Sequence, residues 1–216
     1  MQLKPFFLAF GLFQQPKHLL SYGEAKVWLR HYYPQDVLYG AKSCKINCEH
    51  VIPRSLLRKK KHPESDLHCL MLSNAKLNSH RQNYAFRHVC KTKGISLDSH
   101  GKRAKPENTV CIKNIKDKSF EPPDEQKGRI ARIVGYYLWT YNDMRIIDGL
   151  MKKECLLSWH SKYPITKTEK DKNESVFQVQ KNKNIFICYP FLMPIVFSTP
   201  VLLLRKCFTK KVFQKP

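Results

Sequence analysis

Residues 48–55 read C-E-H-V-I-P-R-S, which sets a carboxylate, Glu49, directly beside an imidazole, His50. Glu49 can hold a hard cation. His50, with an ordinary pKa close to neutral, can take a proton from water and release it again. Further along, S-N-A-K-L-N-S-H-R-Q-N-Y at 73–84 supplies an amide at Asn78, a guanidinium at Arg81 and a second amide at Asn83. A divalent cation such as Mg²⁺ prefers oxygen ligands, keeps several waters and usually takes one or two protein groups. One carboxylate and one amide oxygen would serve it. Hydrolysis of a phosphodiester needs such a cation together with an activated water. Read singly, Glu49-His50 is also an ordinary surface pair, and Asn78 an ordinary helix C-cap.

The charge balance narrows the partner. The 216 residues carry 39 Lys+Arg against 17 Asp+Glu, a net charge of +22. An excess of this size favours a polyanion, either nucleic acid or an anionic membrane surface. A merely basic, ribosomal-type protein has the same composition. Hydrophobic residues make up 42%, enough for one sizeable core.

Eight cysteines permit disulfides without requiring them. Cys44-x-x-x-Cys48 has usable zinc spacing, with His68-Cys69 available to complete it, but no second well-spaced cysteine pair supports it. Unpaired or structural cysteines are the simpler reading. The apolar run P-F-F-L-A-F-G-L-F at 5–13 resembles a short signal-peptide core without a following cleavage site, and buried structure explains it equally well. Residues 185–204 are almost wholly apolar and about as long as a membrane span, but Pro190, Pro194 and Pro200 interrupt them. A strand followed by an apolar tail over the core is expected there, with a tail anchor touching a membrane as the minority reading.

The elements that must position the chemistry follow from spacing. A helix entered near Ser21 runs within 15–33, with Leu20, Ala25, Trp28 and Leu29 on its apolar face. Residues 34–48 are turn-like. Residues 58–63 (R-K-K-K-H-P) read as a charged loop, Leu67 to Asn78 as a helix, and 91–118 as a loop with short strands. The longest helical pattern is Asp124–Tyr141, with Ile130, Ile133, Val134, Tyr137, Leu138 and Tyr141 on one side, entered behind Pro122-Pro123. Tyr136, Tyr137 and Trp139 read as core aromatics. Residues 154–172 read as a short helix with a loop, and Ser175–Gln180 alternates like a strand.

Taken in order, the motifs carry a resemblance. E-H-x-x-P at 49–53 is followed by D-x-H-x-L at 66–70, N-x-x-R-x-N at 78–83, E-P-P-x-x-x-K-G-x-I-A-R at 121–132, the Leu157-Ser-Trp-His160 segment, and Q-x-N-x-N at 180–184. This series is similar to the endonuclease I nucleases of bacteria and some viruses, over roughly residues 20–190. Cys69 departs from the asparagine common after the family's D-x-H.

The resemblance implies an α+β, mostly helical single domain built around a ββα-metal (His-Me finger) core over 1–190, with an apolar then basic tail at 191–216. It also implies a Mg²⁺-dependent endonuclease, with other divalent cations as substitutes and no small-molecule cofactor. The enzyme would be a monomer that cuts DNA and, in some relatives, RNA. Within that reading Glu49 and Asn78 are the metal ligands and His50 the general base. Arg81 is placed with His50 in catalysis and Asn83 on the nucleic acid, although both residues could simply brace the loop. Arg54, Arg58 and Lys59 all compete for the scissile phosphate. Lys127, Arg129 and Arg132 either touch phosphates or form a solvated face, and Asp66 and His68 organise the surroundings. Secreted and periplasmic settings follow the resemblance, with intracellular and viral ones equally open. The alternative is a nucleic-acid-binding protein on an inactive nuclease fold, which would have no need of an intact Glu49, His50 and Asn78.

Overall fold

The computed structural model describes residues 15–41, 45–144 and 147–198. Helix α1 (Tyr22–Tyr32) starts at a capping box. The Glu24 amide donates to Ser21 Oγ at 3.2 Å, and Glu24 Oε2 accepts from the Ser21 amide at 2.7 Å, which satisfies two of the amides a helix start leaves unpaired. Ala25 and Leu29 from α1 pack with Leu67, Leu70, Leu72 and Val176 in a small apolar cluster.

Strands β1 (Ile46–His50) and β2 (Leu70–Asn74) pair antiparallel, with Ile46 opposite Asn74 and His50 opposite Leu70. The connection between them carries α2 (Arg54–Lys60), which ends at Lys61 in a left-handed conformation. β2 then runs straight into α3 (Ala75–Arg81), because Asn74 ends the strand and caps the helix, its Oδ1 accepting from the amides of Lys76 at 2.9 Å and Leu77 at 3.2 Å.

A second sheet has the order β3-β6-β5-β4, from β3 (Ala85–Phe86), β4 (Ile95–Leu97), β5 (Cys111–Asn114) and β6 (Ser119–Glu121). β3 runs parallel to β6, and the other neighbours are antiparallel. The main core forms around α4 (Asp124–Thr140), buried at every position from Lys127 to Trp139. α5 (Ile147–Leu150), α6 (Lys153–Lys162), α7 (Lys167–Gln180), α8 (Ile185–Cys188) and α9 (Leu192–Ser198) complete a mixed α+β domain.

Several expectations change. Leu70–Asn74, within the segment expected to be helical, is a strand. All five of its residues are buried, so it shows no alternation, and periodicity does not separate such a run from a buried helix. Ser175–Gln180 is the end of α7, not a strand. Glu169, Lys172, Asn173, Val176 and Gln180 are its buried positions, at helical spacing. The charged loop at 58–63 is in part the end of α2. The first part of the apolar run at 185–204 forms α8 and α9 instead of a strand, with Phe186, Met193 and Phe197 in the main core. Tyr136, Tyr137 and Trp139 are core aromatics, as read.

No helix among the described residues is long and apolar enough to cross a membrane. The apolar run at 5–13, the tail from 199, Cys44 and Cys207 lie outside the described residues. The other six cysteines are unpaired.

Candidate active site

The end of β1, the start of α2 and one flank of α3 close around an open cleft of about 580 Å³, walled on its far side by Tyr22, Lys26 and Arg30 of α1. Glu49, His50, Asn78, Arg81, Arg54 and Asn83 all line it.

Glu49 is only 2% exposed. Its Oε1 accepts from the Tyr39 hydroxyl at 2.6 Å and lies 3.3 Å from Arg81 Nη1. Burial holds the carboxyl above its usual range, opposed by Arg81 and the Tyr39 hydrogen bond. Arg81, itself 1% exposed, spans the loop entry. It donates to the carbonyls of His50 at 2.9 Å and Val51 at 2.6 Å, and its guanidinium lies 4.5 Å from the Phe86 ring centroid. It therefore fixes the backbone at His50 and the carboxylate of Glu49, a positioning part.

His50 Nε2 lies 3.0 Å from the Glu64 carbonyl. A carbonyl only accepts, so Nε2 carries the hydrogen and the neutral ring keeps its lone pair on Nδ1. Burial pushes the His50 pKa down to about 4, partly offset by the Glu64 carbonyl and aided by the charges of Arg54 and Arg81. The ring is therefore an unprotonated base at neutral pH. Tyr22 lies against it with ring centroids 5.0 Å apart.

Asn78 Nδ2 donates to Asn47 Oδ1 at 2.9 Å and to the Cys48 carbonyl at 3.3 Å. Both amide hydrogens are thereby directed to β1, which leaves Oδ1 as the acceptor end. Among the described residues no three His, Cys, Asp or Glu side chains gather to hold a metal. Glu49 and Asn78 offer this cleft a carboxylate and an amide oxygen, donors of the kind that suits a hard, largely hydrated cation.

Three cations competed for the phosphate. Arg54 lines the cleft, while Arg58 and Lys59 lie outside its lining. Arg54 and Arg58 share the Glu64 carboxylate, Arg54 Nε at 2.7 Å and Arg58 Nε at 2.5 Å. Lys127, Arg129 and Arg132 belong to neither a solvated face nor an exposed cationic surface. They are 4%, 7% and 1% exposed. Lys127 Nζ lies 2.6 Å from both Glu121 and Asp124, Arg129 pairs with Asp36, and Arg132 grips Glu169 with two 2.8 Å contacts. A charge buried in α4 needs a partner of opposite sign, and each of these has one.

Asp66 and His68 support the site from behind. Asp66 Oδ2 accepts from Tyr136 at 2.8 Å and Tyr141 at 2.9 Å, and Oδ1 accepts from Gln180 Nε2 at 2.9 Å. The residues not anticipated are Tyr39, Asn47 and the α1 wall. Tyr22, Lys26 and Arg30 recur every four residues, so the helix expected there already carried a polar stripe.

A β-strand pair joined directly to a helix thus brings a carboxylate, an imidazole and an amide to one cleft. Residues 21–191 match the endonuclease I family, and the chain belongs to it. It is 30% identical over 137 residues to endonuclease-1 of Buchnera aphidicola subsp. Acyrthosiphon pisum (strain APS), covering 61% of this chain and 49% of that protein. It is 29% identical over 144 residues to an extracellular ribonuclease of Bacillus amyloliquefaciens, covering 59% and 45%. The chain spans about half the length of the curated relatives it matches.

Proposed function

We propose that the protein is a metal-dependent endonuclease that hydrolyses phosphodiester bonds in DNA, with RNA as a second substrate and little regard for sequence. The observation that carries the reading is the neutral His50, with its Nδ1 lone pair available, beside Glu49 and the acceptor end of Asn78 in one cationic cleft.

Glu49 and Asn78 would hold a Mg²⁺ ion. When bound, the ion supplies Lewis-acid stabilisation of the charge that develops on the phosphate. His50 Nδ1 takes a proton from the attacking water as its oxygen bonds to phosphorus, the bond from phosphorus to the leaving sugar oxygen breaks, and that oxygen takes up a proton from solvent water. Tyr39 and Arg81 hold the Glu49 carboxylate, and Arg81 also holds the His50 backbone. Arg54 faces a non-bridging phosphate oxygen, and Lys26 and Arg30 steer the neighbouring backbone. Contacts to phosphate carry no base information, which is why low sequence specificity follows. Membership of the endonuclease I family and relatives named endonuclease-1 and extracellular ribonuclease support a nuclease, and the second name supports RNA among its substrates.

The test is nicking of supercoiled plasmid and degradation of RNA by purified protein, with Mg²⁺ or with EDTA, comparing wild type with His50→Ala. Metal-dependent cleavage reduced about 10²–10⁴-fold in the variant is expected. Binding without cleavage, or cleavage that survives the substitution, would overturn the mechanism.

A further inference from the structure

A second groove, of about 490 Å³, lies along the other flank of α3. Its cationic lining is Lys45, Lys76 and Lys102, and none of the described residues lining it is acidic. The positive character comes from side chains, because Asn74 already occupies the amides of Lys76 and Leu77.

The wall opposite α3 is built to present these cations. Asp98 Oδ1 accepts from the amides of His100 and Lys102, both at 2.8 Å. This spends the carboxylate on the loop's own backbone. Gly101, at φ +73°, seats the loop on α3, where a Cβ would come within 2.8 Å of Lys76 Cβ. His80 of α3 pins the loop and the neighbouring sheet together, with Nε2 at 3.0 Å from the Gly101 carbonyl and Nδ1 at 2.8 Å from Lys113 Nζ.

The groove and the cleft share two elements. α3 turns Asn78 to the cleft and Lys76 and His80 to the groove. Lys45 directly precedes β1, which ends at His50 in the cleft. At about 3.3 Å per strand residue that separation is roughly 16 Å, a few nucleotides along an extended single strand.

We propose that this groove is a second phosphodiester-backbone track, which grips the substrate strand a few nucleotides from the bond being cut. The inference rests on the nuclease reading and makes cleavage depend on substrate length.

Binding of fluorescent single-stranded DNA 12-mers and 4-mers would be measured in EDTA across a salt series. Wild type would be compared with Lys45→Ala/Lys76→Ala/Lys102→Ala and with Lys152→Ala/Lys167→Ala/Lys170→Ala, which removes equal charge from exposed lysines lining neither cleft. The groove variant is expected to lower the log–log salt slope for the 12-mer by about two, while the control triple keeps the wild-type slope. With Mg²⁺, wild type should cut the 12-mer faster than the 4-mer, and the groove variant should lose most of that advantage. Equal slopes in the two triple variants would overturn the proposal, as would an unchanged length preference. A wild type that cuts neither oligonucleotide but shows the slope difference would remove the nuclease reading and keep the groove as a backbone site.

Discussion

Asn47 Oδ1 accepts a hydrogen bond from Asn78 Nδ2 at 2.9 Å, which ties the middle of β1 to α3 and decides which end of the Asn78 amide is left for a ligand. Asn47→Ala would remove the partner that fixes this orientation while leaving Glu49 and His50 in place. The expected result is a 10–100-fold weaker apparent affinity for Mg²⁺, the usual size for a group that orients a ligand, read as a Mg²⁺ titration of cleavage shifted to higher concentration. Asn78→Ala should cost more, and Asn78→Asp less. Equal Mg²⁺ titrations for wild type and Asn47→Ala would show that the bond orients nothing.

The Asp66 carboxylate collects two tyrosine hydroxyls and one glutamine amide from α4, its C-terminal end and α7. Asp66→Ala leaves those donors buried without an acceptor and should lower stability by about 3 kcal/mol or more, whereas Tyr141→Phe, which removes one donor, should cost about 1 kcal/mol. Urea unfolding midpoints at constant slope would check the ratio.

Lys172 gives a stability change with a definite sign in pH. Its ammonium is buried, donating to the Leu70 carbonyl at 2.7 Å and near Met71 Sδ at 3.0 Å. Burial, aided by Arg129 and opposed by Asp36, pushes its pKa down to about 8 from 10.5. Between those values the unfolded chain binds more protons than the folded one, so stability rises with pH. Relative to Lys172→Met, wild type should gain ~2 kcal/mol between pH 7 and 9.5. A constant difference between the two proteins across that range would show that Lys172 titrates normally.

The thiols should separate by position. Cys90 is exposed and its pKa is lowered by the Thr92 hydroxyl and nearby amides, while burial pushes Cys48, in the cleft, up to about 11. The thiolate is the reactive form. Iodoacetamide at neutral pH should therefore label Cys90 well before Cys48, as read by peptide mass mapping. Faster labelling of Cys48 would mean that the cleft is more open, or its thiol more acidic, than this geometry allows.

The meeting of the motif residues in one cleft and the mixed α+β class were legible in the sequence, while some of the elements between them were not. Glu49, His50, Asn78, Arg81, Arg54 and Asn83 converge because ordered motifs report residues that must meet in space. Spacing also gave α1 and α4, whose apolar faces are long enough to show a period. It failed at β2, buried on both faces, and at Ser175–Gln180, where six residues alternated by chance inside a helix capped at Thr166. The reading of Lys127, Arg129 and Arg132 failed for another reason. The partners of Arg129 and Arg132, Asp36 and Glu169, lie far away in the chain, while Lys127 turns back to its near neighbours Glu121 and Asp124, and only the folded structure shows that all three are spent on these pairs.

The Asp66–Gln180 bond at 2.9 Å, with the Leu67 amide on Gln180 Oε1 at 2.6 Å, joins the chain just before β2 to the end of α7. It also sets a schedule for synthesis. At about 5–20 residues per second, His50 leaves the translating ribosome roughly ten seconds before Gln180 does. During that interval the nascent chain carries β1 and β2 without the helix that braces them. The brace is added after the strands it holds, so that side of the strand pair stays open until α7 has emerged.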